Sequence, residues 1–269
     1  MEREIRKIQL KCLEILDIVD SICRENNIQY SLCGGSVVGA HLYKGCLPWD
    51  DDVDLMMTRS NYNRFVQVIS KSLPEGYSVR NYQLSNEFET MFTKIINDNT
   101  TVIQQDGTIS GVFLDVTVYD KIPMDYRFKW DEFLWKISQV VTIGRIDGKS
   151  IKIKGRNFIL STLLKDKRKY LRFFQSQVEK IGEKAKEYSY AELFGAYCNT
   201  KPYRPEIFEN YSEIEFEGKN YMIVRDYIKY LQTRYERTDF REPKEKQTVP
   251  HYQYVNFEIP YKQYKSKEL

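Results

Sequence analysis

Apolar side chains at Ile5, Ile8, Cys12, Ile15, Val19 and Ile22 recur in steps of three and four, which places them on one face of a helix spanning the first 26 residues. Asn26-Asn27 ends that pattern, and Ile28 to Cys33 reads as a short strand running into Gly34-Gly35-Ser36. Ser36 is positioned to cap a short helix from Val37 to Leu42. After a loop through Gly45 and Pro48, Asp52-Val53-Asp54-Leu55-Met56 alternates as a strand does, with both aspartates on one side and Val53 and Leu55 on the other. Ser60 is expected to cap a helix whose apolar side carries Phe65, Val66 and Ile69. Tyr77–Tyr82, Met91–Ile96 and Val112–Tyr119 read as further strands.

Beyond Pro123 the pattern becomes basic and aromatic, and Phe128–Ile143 and Phe158–Glu187 suggest helices that continue through Ala191–Tyr197. Glu213–Phe216 and Tyr221–Val224 flank Glu-Gly-Lys-Asn as a hairpin. Asp226 can cap a helix through Tyr235, and from about Arg241 the tail is polar and broken by prolines. The expected architecture is α+β: a mixed sheet flanked by helices, with a mainly helical extension. Three segments follow from the pattern changes: a catalytic core over 1–122, a basic, mainly helical extension over 123–200, and a hairpin, helix and tail over 201–269 that pack back on the core.

The chain has 269 residues, of which 42% are apolar and 29% charged, a composition that forms a core and leaves little room for long disorder. No apolar run reaches the ~18–20 residues of a membrane span, and the first residues lack a signal peptide's apolar stretch, so a cytoplasmic location is expected. Cys12, Cys23, Cys33, Cys46 and Cys198 form an odd set without Cys-x-x-Cys spacing, which argues for reduced thiols over disulfides or zinc. A net charge of +3 is too small to imply nucleic-acid binding. Basic residues concentrate between Lys121 and Gln175, either as a solvated face or as a surface for an anionic acceptor or the membrane's inner leaflet.

The candidate chemistry lies in the order of three features: a strand ending in Gly34-Gly35-Ser36, then Asp52-Val53-Asp54, then Leu114-Asp115-Val116 on a later strand. Glycines let a backbone turn approach phosphate oxygens closely, and Ser36 adds a hydroxyl donor. Asp52, Asp54 and Asp115 together make an oxygen-rich site suited to Mg²⁺ or Mn²⁺, and a carboxylate can take the proton of an attacking hydroxyl. Each motif alone also fits a solvated acidic loop or an ordinary turn. Four acidic groups within Asp50–Asp54 repel one another unless cations offset the charge, which favours the metal reading.

At these residues the sequence resembles the LicD family, which includes bacterial phosphocholine transferases and, more distantly, the fukutin-related ribitol-phosphate transferases. The resemblance rests on Gly34-Gly35-Ser36-Val37-Val38-Gly39-Ala40, Lys44-Gly45 and Pro48-Trp49-Asp50-Asp51-Asp52-Val53-Asp54, and continues in Phe113-Leu114-Asp115-Val116. A carboxy-terminal stretch, Phe216-Glu217-Gly218 through Tyr227, Leu231 and Tyr235 to Pro243, Lys246 and His251, extends it. It implies a nucleotidyltransferase-like fold with Asp52, Asp54 and Asp115 as metal-binding, catalytic carboxylates and Gly34, Gly35 and Ser36 at the donor phosphate. It further implies a CDP-linked donor such as CDP-choline and a hydroxyl acceptor on a glycan or lipid-linked glycan, as in polysaccharide or teichoic acid modification. The family often carries Val-Arg-His-Lys-Gly where this chain has His41-Leu42-Tyr43-Lys44-Gly45, so an arginine and a histidine are missing from their usual places.

Further substrate-binding candidates are Lys44 and Trp49 beside the carboxylates, Lys94 on a neighbouring strand, and Arg241 and His251 in the tail; each also has an ordinary structural reading. Enzymatically, phosphoalcohol transfer with release of CMP competes with a nucleotidyltransferase reaction that moves NMP to a small hydroxylated acceptor and releases pyrophosphate. A non-catalytic binding module is disfavoured because all three carboxylates are present.

Overall fold

The computed structural model describes residues 2–84, 91–105, 107–124, 167–195, 199–241 and 250–264. In chain order the elements are α1 (Glu2–Glu25), β1 (Ser31–Leu32), α2 (Gly34–Tyr43), β2 (Asp54–Thr58), α3 (Arg59–Ser72), β3 (Tyr77–Arg80), β4 (Thr93–Gln104) and β5 (Ile109–Pro123). They continue as α4 (Lys167–Lys184), β6 (Tyr188–Glu192), β7 (Asn199–Tyr203), β8 (Tyr211–Phe216), β9 (Lys219–Val224), α5 (Tyr227–Tyr235) and β10 (Tyr252–Asn256). Strands and helices combine as an α+β architecture. Of the expected helices, Phe128–Ile143 and the start of Phe158–Glu187 lie outside the described residues. No helix among the described residues is long and apolar enough to cross a membrane.

The chain divides into two compact units. The first comprises Met1–Val79, Lys94–Val116 and Glu206–Leu269, and the second Arg80–Thr93 and Thr117–Pro205. In the first unit the strand order is β1-β2-β5-β4-β10, with β3 also on β4. β1 runs antiparallel to β2, with Ser31 opposite Met56 and Leu32 opposite Leu55. The α1 stripe from Ile5 to Ile22 is buried, as are Phe65, Val66 and Ile69 of α3. Burying each such side chain stabilises by roughly 1.5–3 kcal/mol, so these stripes dominate the attachment of both helices to the sheet.

The β8–β9 hairpin closes through a two-residue turn at Glu217-Gly218, with Phe216 opposite Lys219. Its tip clamps the loop after α2. Glu217 accepts two bonds from the Arg6 guanidinium (2.9 and 2.7 Å) and one from the Cys46 N–H (3.0 Å), while its own N–H donates to the Lys44 carbonyl (2.7 Å). From α1, the buried Gln9 amide donates to the Leu47 and Asp50 carbonyls at 2.9 and 2.8 Å. The loop that delivers the acidic run is thus held from both sides.

In the second unit, β6 pairs antiparallel with the end of β5, Asp120 opposite Ala191 and Pro123 opposite Tyr188, and β7 pairs with β6. The helix expected through Ala191 is therefore a strand at its start: Tyr188 and Tyr190 suit a pleated surface, and the free edge of β5 supplies the ladder. α4 buries Leu171, Phe174 and Val178, and Phe174 lies against Phe194 at 4.9 Å between centroids. The polar tail also departs from expectation, since β10 adds antiparallel to β4 with a bulge between Tyr252 and Tyr254.

Two expected caps sit elsewhere. α3 begins after Thr58, whose hydroxyl meets Ser60 and the Asn61 amide at 3.3 and 3.2 Å, so Ser60 is already inside the helix. α2 begins at Gly34, placing Ser36 in its first turn with its hydroxyl turned toward β2. Gly39 of α2 gives a test of packing. Alanine normally exceeds glycine inside a helix by roughly 0.5–1 kcal/mol, but a methyl here would stand 2.3 Å from the Gly45 carbonyl oxygen. Gly39→Ala should therefore destabilise the chain by roughly 1–3 kcal/mol in urea unfolding, the sign opposite to propensity.

Candidate active site

The backbone at Asp54 is fastened to the glycine turn twice. Its N–H donates to Ser36 Oγ at 3.0 Å, and its carbonyl accepts the Cys33 N–H at 2.9 Å. β2 lies between β1 and β5, and the Asp115 N–H donates to the Val53 carbonyl at 3.4 Å, bringing the third carboxylate beside the first two. Strand alternation does the rest: Val53 and Leu55 are fully buried, and the aspartates between and before them face the opposite way.

Crowding shows in the proton affinities. Burial holds Asp54 well above the usual carboxylate range, and Asp52, Asp115 and Asp50 push it further, against the pull of Arg234. Burial likewise raises Asp52, with Asp51 adding repulsion. Asp115 is raised by burial even though Lys94 opposes the shift. Asp50 is pushed to about 8, first by burial and then by Asp52, to which it is hydrogen-bonded. Asp50 Oδ2 lies over Gly35, 2.5 Å from where a Cβ would be, so a side chain at that position would displace the carboxylate.

Lys94 is buried on β4. Its ammonium reaches both oxygens of Asp115 (2.9 and 3.1 Å) and lies 3.5 Å from the Phe113 ring centroid. His251 approaches from the opposite end of the chain: its N–H and its Nδ1 meet the two oxygens of Asp51, each at 2.8 Å, and Nδ1 is 3.9 Å from Asp52 Oδ2. β10 secures this approach, because Gln105 donates its N–H to the His251 carbonyl at 3.0 Å and its amide to Pro250 and Tyr252.

Not every expected site residue joins the cluster. Lys44 is exposed and paired with Glu215 at 2.8 Å. Trp49 packs edge-on against Tyr43, and Arg241 is exposed, its N–H donating to Asp239. Conversely, sequence reasoning assigned no role to Asp50, Asp51, Tyr230 or Arg234. The density of aspartates around Asp52 was the available signal for the first two; for the α5 pair there was none.

The donor set suits a divalent cation. Asp52, Asp54 and Asp115 offer hard oxygens whose repulsion a cation would relieve, and ligand atoms of Asp51, Asp52 and His251 lie within 4.8 Å of one another.

Residues 27–141, which include the glycine turn and the clustered carboxylates, match the family model described as LicD/FKTN/FKRP, nucleotidyltransferase domain. The chain is 28% identical over 266 aligned positions, covering 92% of this chain and 96% of the relative, to the lipopolysaccharide cholinephosphotransferase LicD of Haemophilus influenzae. A 78-residue stretch, 29% of this chain and 25% of the relative, is 24% identical to the uncharacterized protein RT0683 of Rickettsia typhi.

The Asp51–His251 pair has a signed pH dependence. Its hydrogen bond to Asp51 raises His251 from its ordinary 6.5 to about 9, so the stability from the charged ring is complete below 6.5 and lost as pH rises through 9. In chelator-treated protein, the destabilisation by His251→Ala in urea unfolding should be largest near about pH 6 and shrink by about pH 10. A destabilisation constant across that range would contradict the pairing.

Proposed function

We propose that the chain is a divalent-metal-assisted transferase that moves a phosphate-linked alcohol, phosphocholine or a related polyol phosphate, from a CDP-type donor to a hydroxyl of a cell-surface glycan or lipid-linked precursor, releasing CMP. The observation that carries this reading is the fastening of Asp54 to Ser36 of the glycine turn, with Asp52 and Asp115 near enough to raise its proton affinity, in a chain aligned over nearly its whole length with a cholinephosphotransferase.

The acceptor oxygen attacks the phosphorus that bears the alcohol, the bond from that phosphorus to the bridging oxygen breaks, and CMP departs with the bridging oxygen. The hydroxyl proton passes to a carboxylate oxygen of the cluster. Asp52, Asp54 and Asp115 would hold Mg²⁺ or Mn²⁺, which when bound supplies charge neutralisation at the phosphoryl oxygens. Lys94, buried on Asp115, fixes that carboxylate's orientation and lowers its proton affinity. The Asp51–His251 pair draws the tail over the acidic run, where the imidazole stands ready to contact donor or acceptor oxygens. We place the reaction in the cytoplasm, at the inner face of the membrane. The basic start of α4, with Lys167, Lys169 and Arg172 exposed beside a 54% exposed Phe173, supports contact with that anionic surface.

Incubation of the protein with Mg²⁺, candidate acceptors and CDP-choline, CDP-ribitol or CDP-glycerol should release CMP from one of them. Asp52→Asn and Asp54→Asn should each lower that rate by about a thousandfold or more, the loss expected when several kcal/mol of charge stabilisation is removed. Unchanged turnover in either variant rejects the mechanism, and pyrophosphate release from an NTP would assign NMP transfer instead.

A further inference from the structure

Arg234 and Tyr230 stand four residues apart on α5 and so share one face of the helix. That face is seated on the glycine turn. The buried Tyr230 hydroxyl accepts the Gly34 N–H at 3.1 Å and meets Cys33 Sγ at 3.2 Å. One turn further along, the Arg234 guanidinium covers Gly34: a Cβ there would lie 3.6 Å from Nε and from Nη2 and 3.8 Å from Cζ. Gly34 has φ +51°, so both its backbone conformation and its neighbour exclude a side chain.

Among the described residues, Lys94, Lys44 and Arg234 are engaged differently in this region. Lys94 holds both oxygens of Asp115, and Lys44 is turned outward to Glu215. Arg234 lies against the turn itself, and its charge is felt at Asp54, whose proton affinity it lowers. A phosphate approaching Asp52 and Asp54 along the Gly34–Ser36 backbone would meet a guanidinium on one side and carboxylates on the other. Arginine suits that place, since its charge is permanent and its planar fork matches phosphate oxygens in pairs.

We propose that Arg234 is a donor-binding residue that contacts non-bridging oxygens of the diphosphate in a nucleoside diphosphate-linked donor, with Tyr230 holding α5 in place as a positioning residue. The assignment rests on the donor class put forward above. Calorimetry on the full chain with Mg²⁺, using CDP and cytidine as probes, separates the two. Arg234→Ala should weaken CDP binding roughly 10- to 100-fold, as expected for losing a charged hydrogen-bonding partner, and leave cytidine binding unchanged. Arg234→Lys should recover part of the CDP affinity. Arg234→Gln, which keeps most of the length and removes the charge, should behave as Arg234→Ala and serves if the alanine variant does not fold. Equal CDP affinity in the wild-type chain and Arg234→Gln overturns the role of Arg234 alone. An equal loss of cytidine and CDP binding also overturns it, because the guanidinium would then act on the fold or the nucleoside. Failure of the wild-type chain to bind CDP overturns the donor class and this assignment together.

Discussion

Like charge confined in a small, partly dry space is the constraint on which the site depends. Asp50, Asp51, Asp52, Asp54 and Asp115 converge, and burial makes each ionised carboxylate costlier than it would be in water. The structure answers with one local device for most of them. Asp50 is hydrogen-bonded to Asp52, Asp51 takes both the ring and the backbone of His251, Asp115 takes Lys94, and Asp54 feels Arg234. Asp54 is left with the least compensation, since Arg234 alone opposes the repulsion of its neighbours there. Such a set of buried carboxylates is compatible with a divalent cation.

What was legible in the sequence was whatever a short-range period could encode. The α1 stripe needed six positions at helical spacing, and Asp52 and Asp54 needed only strand alternation and a buried Val53 between them. Helix starts were less legible. Ser36 has the chemistry of a cap, but Gly34 and Gly35 were already helical, so its hydroxyl served Asp54 instead. Ala191 was placed in a helix because β6 owes its form to pairing with β5, a partner about 70 positions away that local composition does not reveal.

The site's remaining members depend on contacts that no local pattern carries. His251 reaches Asp51 across 200 positions because the tail forms β10 on β4, in a segment whose polarity and prolines hid a strand. Arg234 resembled any solvent-facing arginine of an amphipathic helix until α5 was seen seated on Gly34. Both residues come from the part of the chain beyond the segment that matches the family model, so the matched domain by itself accounts for the carboxylates and the turn but not for the groups that approach them from outside.

The clamp on the loop between α2 and β2 bears on how this protein matures. Arg6 and Gln9 lie near the amino terminus, Glu217 at the tip of the β8–β9 hairpin, and His251 beyond it, yet Gln9, Glu217 and His251 bond to residues 46 to 51 and Arg6 braces Glu217. Contacts between such distant positions close slowly, because loop entropy must be lost before they form. On a ribosome the aspartates are made early, but the chain has to grow past residue 251 before Asp51 can meet its partner. Assembly of the full set of groups around the carboxylates therefore waits until residue 251 has been made.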